Sequence, residues 1–132
     1  MRARADKPGR PPGTSVARWA WQILIAVEVV NLLDWATTVV GAGMLGLPEQ
    51  GRVTAYLISH LGALGGATVV KACAASAFAV FAVAAARIAA LPQPGGAAAA
   101  AGLLWGLAYA GLLLAQTVLW NVISIWRGAG GR

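Results

Sequence analysis

The chain carries little charge for its length. Asp, Glu, Lys and Arg together make up 11% of its 132 residues, whereas a soluble domain carries about 25%. Hydrophobic residues account for 59%, so the polar side chains are too few to cover a folded surface in water. This composition excludes an ordinary soluble globular domain and indicates a chain that is surrounded by lipid.

Cysteine and histidine are scarce as well, with one residue of each type. Cys73 cannot form an intrachain disulfide, and within its apolar run it is expected to be a small buried residue. No cysteine pair accompanies His60, so a zinc site is not predicted. The sequence also contains no P-loop, no HExxH and no supported Ser/His/Asp arrangement. It therefore predicts no catalytic residue, no metal site and no cofactor.

The charge that is present is mostly positive, with 10 Lys and Arg against 4 Asp and Glu. A basic balance can indicate nucleic-acid binding, but here the positive residues lie at the N-terminus and at the ends of apolar runs. This distribution favours anionic lipid headgroups over nucleic acid as the partner. One predicted side of the membrane receives Arg2, Arg4, Lys7, Arg10, Arg18 and Arg87, and the other receives Arg52, Arg127 and Arg132. The positive-inside rule then predicts a cytoplasmic N-terminus and an external C-terminus.

Three apolar runs are long enough to cross a bilayer core, which takes about 20 helical residues. They extend from about Trp19 to Leu45, from Leu64 to Ile88 and from Ala99 to Trp126. The segment 50–61 is too short to cross and has weak helical amphipathicity, which is typical of an interfacial or re-entrant helix. Residues 1–18 are expected to form a disordered basic cytoplasmic tail, and 127–132 a short tail. The predicted fold is all-α, with three transmembrane helices and a short interfacial or re-entrant helix.

The first span has one polar face. At about 100° per residue, this face comprises Glu28, Asn31, Asp34, Trp35 and Thr38, with Thr37 just beyond it. A charged side chain at the centre of a bilayer costs at least about 2.5–3.5 kcal/mol. The polar face is therefore expected to point at the other two helices rather than at lipid.

The other two spans carry polar residues at a similar depth. With a helical rise of about 1.5 Å per residue, Asp34 lies about 16 Å and Lys71 about 10 Å below the predicted outer surface. Pairing these two side chains would neutralise both charges. The predicted intramembrane polar cluster comprises Asn31, Asp34, Thr37, Thr38, Lys71, Gln116 and Asn121.

Three further residues are weaker candidates for a function. Glu28 lies nearer the inner half without a basic partner at its level, where Tyr109 could bond to it, and it is a candidate titrating group. His60 is a second candidate titrating group, with a solvated interfacial residue as the competing interpretation. Glu49 is an acid in the outer loop, where a solvated turn residue is equally expected.

The run Asn31-Leu-Leu-Asp34-Trp-Ala-Thr37-Thr38 resembles the N-x-x-D-x-x-T signature of the bacterial and archaeal membrane domain of unknown function called DUF5658. Glu49, Lys71 and Asn121 stand where that family has a loop acid, a lysine early in the next helix and an asparagine late in the last helix. The chain departs from the family in the loop, where it reads Glu49-Gln50-Gly51-Arg52 instead of continuing to Asn-Pro. The resemblance covers about residues 20–126 and implies a three-helix membrane domain with a short loop helix and no established activity. We expect the chain to lie in the cytoplasmic membrane of a prokaryote.

Three functions remain open on these observations. The leading hypothesis is a non-enzymatic membrane module in which an Asp34–Lys71–Asn121 cluster fixes helix packing and lines a small pocket. A proton-coupled carrier or intramembrane enzyme would use Asp34 or Glu28 as its titrating group. An accessory subunit would instead pack against a larger membrane partner, and a homo-oligomer is compatible with the same apolar surface.

Overall fold

The computed structural model of the chain describes residues 13–49, 51–91 and 94–130. These residues form α1 (Gly13–Thr38), a π-helical turn (Val39–Met44), α2 (Arg52–Ala90) and α3 (Gly96–Gly130). The described parts of the chain contain no strand. The all-α fold predicted from the sequence is confirmed.

Three stretches of helix are long and apolar enough to cross a membrane: Ser15–Met44, Arg52–Ala90 and Gly96–Gly128. The distribution of side chains on α1 agrees with a lipid environment. Leu32 and Leu33 are 62% and 50% exposed, whereas Asn31 and Asp34 are 4% and 2% exposed. Polar groups that face inwards and leucines that face outwards are stable in lipid and would be costly in water. The prediction of a membrane protein with three spans is confirmed to this extent.

The three helices run up, down and up, and each packs against the other two. Near the turn that joins α2 to α3, Ala20, Ala85 and Leu104 form one buried cluster. A second cluster in the middle of the bundle comprises Leu24, Val27, Ala82 and Leu107. The small side chains let the helix backbones approach closely, as is usual between membrane helices. Continuing away from that turn, the same register brings Asp34 of α1 to the level of Lys71 and Asn121.

Helix α1 begins earlier than the sequence predicted. Residues from Gly13 to Arg18 were expected to belong to a disordered tail, but they are helical. The reason is packing, because Val16 contacts the buried cluster around Ala20 and so extends the apolar interface by a turn. Likewise α3 continues to Gly130, so most of the predicted tail 127–132 is helical. The remainder of the predicted N-terminal tail, residues 1–12, lies outside the described residues.

The predicted separate short helix at 50–61 is not shown, because residues from Arg52 onwards belong to α2. That helix is nevertheless interrupted at Gly62, whose φ of 74° and ψ of 167° lie in a region that is essentially restricted to glycine. A methyl group on Gly66 would lie only 2.5 Å from the backbone nitrogen of Ile58. Residues eight apart in a straight helix are about 12 Å apart, so the chain bends sharply at Gly62. We call the segment Arg52–Leu61 the arm.

The π-helical turn after α1 was not predicted. Its backbone hydrogen bonds span more residues than the four of an α-helix. Leu45 N donates to Val40 O at 3.2 Å, and Leu47 N donates to Gly41 O at 2.9 Å. Gly41 is buried, and a methyl group there would lie 3.8 Å from Ile125 of α3. Such turns are uncommon and occur often at functional sites. Here the turn ends α1 and leads the chain into the loop that carries Glu49.

Candidate functional site

An ion pair lies between α1 and α2. The Lys71 ammonium donates a hydrogen bond to Oδ2 of Asp34, and the side chains are 16% and 3% exposed respectively. Two opposite charges in contact can remain inside a bundle, whereas either one alone would be an uncompensated buried charge. The pair therefore keeps this part of the bundle electrically neutral.

Helix α3 completes the polar cluster through Asn121. Its Nδ2 donates to Oδ1 of Asp34 at 3.2 Å and to Oγ1 of Thr37 at 3.3 Å. The Thr37 hydroxyl in turn donates to the backbone oxygen of Asp34 at 3.2 Å. Both carboxylate oxygens of Asp34 thus accept hydrogen bonds, one from each neighbouring helix. This arrangement binds all three helices at a single level.

Asn31 extends the cluster towards Glu28. Its Nδ2 donates to the backbone oxygen of Lys71 at 3.2 Å and to Oε2 of Glu28 at 3.3 Å. Because a backbone carbonyl only accepts, the orientation of the Asn31 amide is determined by this contact. Among the described residues, Oδ1 of Asn31 is a buried oxygen to which no protein group donates. An unmet buried acceptor of this kind costs about 1–3 kcal/mol.

The cluster forms the floor of a cleft with a volume of about 660 Å³. Asp34 is almost fully buried at its base, whereas Glu49 in the loop is half-buried and Trp120 is 53% exposed. The walls come from the end of α1, the π-helical turn, the loop before α2, the start of the arm and the second half of α3. The polar lining comprises Asp34, Thr37, Thr38, Glu49, Thr54, Lys71, Gln116, Thr117, Asn121 and Ser124.

The structure brings most of the predicted site residues together. Some of them bond to one another in the cluster, and others only line the cleft. Thr38 is buried and lines the cleft, and Gln116 lines it from an exposed position. Glu49 also lines the cleft, where its Oε1 accepts a hydrogen bond from the Gly51 backbone nitrogen at 3.1 Å. The loop acid, which the sequence left as a weak candidate, is therefore part of the same cleft as the ion pair.

The two candidate titrating groups lie apart from the cleft lining. Glu28 is half-buried and accepts from Asn31, while Tyr109, its predicted partner, is 63% exposed. His60 lies on the arm, where its Nδ1 is 2.8 Å from the backbone oxygen of Tyr56 and its ring packs against the Tyr56 ring at a tilt of 39°, with the centroids 4.3 Å apart. Glu28 therefore contacts the cluster through Asn31, which is not part of the cleft lining, and His60 is not part of the lining either.

Sequence reasoning missed several polar residues of the lining: Thr54, Thr117 and Ser124, with Trp120 beside them. The sequence pattern could have indicated two of them. Thr117 and Ser124 stand four residues before and three residues after Asn121, which places them on one face of a helix. No such pattern indicates Thr54, because its place in the lining depends on the bend at Gly62.

A second side-chain hydrogen bond between α1 and α2 lies about one helical turn from the ion pair. The indole Nε1 of Trp35 donates to the Thr68 hydroxyl at 3.0 Å. This bond gives the tryptophan of the polar face an interhelical role.

The chain was compared with protein-family models, with curated proteins and with solved structures, and none of them matches. The resemblance to DUF5658 therefore stays a prediction, and the cleft has to be interpreted from its own geometry.

Proposed function

We propose that this chain is a small multi-pass membrane module that binds a small polar ligand in the cleft above the Asp34–Lys71–Asn121 cluster. The observation that carries the proposal is the combination of a neutralised floor with a cleft of about 660 Å³. Interhelical bonding alone would explain the cluster. It does not explain why hydroxyl groups from α1, α3 and the arm line a shared space above it.

Catalysis or proton transport is less well supported by the same contacts. Both oxygens of Asp34 accept hydrogen bonds from Lys71 and Asn121, so this carboxylate is occupied rather than poised as a free base. Glu28 is outside the cleft lining. A ligand-binding role needs neither group to exchange a proton.

We place the cleft at the outer surface of a prokaryotic cytoplasmic membrane. The support is the excess of Lys and Arg on one predicted side, from the N-terminal segment together with Arg87, which favours a cytoplasmic N-terminus. The opposite ends of α1 and α3, which form the cleft, then face outwards. We place the arm at this outer interface as well, because exposed apolar surface at Val53 and Tyr56 next to the exposed Arg52 suits a boundary between lipid and headgroups.

Cysteine labelling tests whether the cleft is open to water. In a Cys73→Ala background, Ser124→Cys is expected to react with a charged thiosulfonate in reconstituted protein, because Ser124 lines the cleft. Val122→Cys is the matched control, since Val122 lies two residues away on the same helix, is 47% exposed and is not part of the lining. We expect at least tenfold faster labelling of the first variant. Equal rates, or no labelling of either variant, would contradict a polar cleft that admits ligands.

The same variant tests the orientation. In intact cells a membrane-impermeant thiosulfonate is expected to modify Ser124→Cys from outside, because the cleft end of α3 carries the external C-terminus. A cysteine introduced at Arg18, beside the predicted cytoplasmic surface, serves as the opposite marker. Modification of Arg18→Cys but not of Ser124→Cys before permeabilisation would reverse the proposed topology.

A further inference from the structure

The geometry points to a small organic cation with an ammonium headgroup as the ligand of this cleft. This inference rests on the proposed function, which says only that the cleft binds a small polar ligand. The ligand class is inferred from the charges of the lining, the position of Glu49 and the presence of Trp120.

Three charged residues among the described parts of the chain line the cleft: Asp34, Glu49 and Lys71. Asp34 and Lys71 are bonded to each other, and the second oxygen of Asp34 accepts from Asn121. Their charges therefore cancel within the protein. The carboxylate of Glu49 remains, and when it is ionised the lining has a net charge of about −1.

Glu49 is held in place by its own loop. Its Oε1 accepts from the backbone nitrogen of Gly51 at 3.1 Å, two residues further along. An ionised carboxylate has about four acceptor positions, so this bond orders the side chain and leaves most of its charge available to a cationic ligand. A preordered acceptor binds without the loss of further side-chain freedom.

Trp120 supplies an aromatic surface in the same cleft and is 53% exposed. The face of an indole attracts an ammonium group electrostatically, and the attraction grows as the group is desolvated. The hydroxyl groups of Thr54, Thr117 and Ser124 can bond a polar substituent on the same molecule. A carboxylate, an aromatic face and hydroxyl groups together suit an amino-alcohol cation.

An anionic ligand fits the lining poorly. Among the described residues, Lys71 is the only positive residue of the lining and already bonds to Asp34, while the exposed Arg52 and Arg127 are outside it. An anion would also have to lie in the field of Glu49. A metal ion is disfavoured for a separate reason, since the described residues include no group of three His, Cys, Asp or Glu side chains that could hold one.

A series of three probes of one shape tests the inference: choline, its neutral carbon analogue 3,3-dimethyl-1-butanol, and the anion 3,3-dimethylbutanoate. Binding to the full chain in lipid nanodiscs is measured by isothermal titration calorimetry. We expect choline to bind at least tenfold more tightly than the neutral analogue, and the anion to bind least. Preferential binding of the neutral or anionic probe would overturn the cation inference while leaving the proposed binding function intact.

Two variants test whether the cation binds to Glu49. Glu49→Gln keeps the shape of the side chain and is expected to weaken choline binding about tenfold, whereas Glu28→Gln removes an acid outside the lining and is expected to leave it unchanged. Thermal unfolding of both variants verifies that the bundle is intact, and Trp120→Leu provides a second loss through the aromatic face. Unchanged affinity in folded Glu49→Gln would overturn the inference. Failure of all three probes to bind the folded wild-type chain would overturn it together with the proposed function.

Discussion

Lys71→Met is expected to lower the free energy of unfolding by about 3–5 kcal/mol, the usual cost of leaving one partner of a buried ion pair alone. The reason is local. Asp34 is 2% exposed, and without Lys71 its charge keeps only the bond from Asn121. The measurement is unfolding by sodium dodecyl sulfate in mixed micelles, followed by the loss of helical circular dichroism.

Asp34→Asn combined with Lys71→Met is expected to recover most of that loss, to within about 1 kcal/mol of the wild type, because no unpaired charge remains. This double variant also separates charge from packing, since it is expected to fold but removes both charges from the floor of the cleft. Glu28→Gln is the control for removal of an acid elsewhere on α1. If the double variant is as unstable as Lys71→Met alone, charge neutralisation is not the role of the pair.

The second large effect is expected at Gly66. Gly66→Ala places a methyl group 2.5 Å from the backbone nitrogen of Ile58 and 2.7 Å from its Cα. These are backbone atoms of the arm, so neither can move aside as a flexible side chain would. We expect a loss of about 1–3 kcal/mol in the free energy of unfolding, as for other overpacked positions. Hydrogen exchange, measured by mass spectrometry, is expected to become faster in peptides that cover Arg52–Leu61.

Gly106→Ala is the matched control on α3, because nothing lies within 4 Å of the position that its methyl group would take. Alanine is favoured over glycine in a helix by up to about 1 kcal/mol, so this variant is expected to be unchanged or slightly more stable. Equal stability and equal exchange of the arm in the two variants would mean that the arm does not pack on Gly66. The Gly66 variant is also expected to bind choline less well, since Thr54 of the arm lines the cleft.

The number of spans and the polar face of α1 could be predicted because both depend on local properties. A run of apolar residues has to match the thickness of a bilayer. The spacing of Asn31, Asp34 and Thr38 places them on one helical face, and the burial of all three agrees with it. The pairing of Asp34 with Lys71 followed from depth, since helices that cross the same slab of lipid bring residues at similar depths together.

Tertiary structure decided everything that depends on where the backbone departs from a straight helix. The π-helical turn after Thr38 and the bend at Gly62 carry the loop and the arm over the ends of α1 and α3. They bring Glu49 and Thr54 into the cleft with Ser124, which lies at least 70 residues away in the sequence. No local pattern encodes that meeting, because it depends on backbone contacts such as those of Gly66 with Ile58. The sequence alone determined a membrane bundle with a buried polar face, and the bends of the backbone decided that this face is the floor of a cleft.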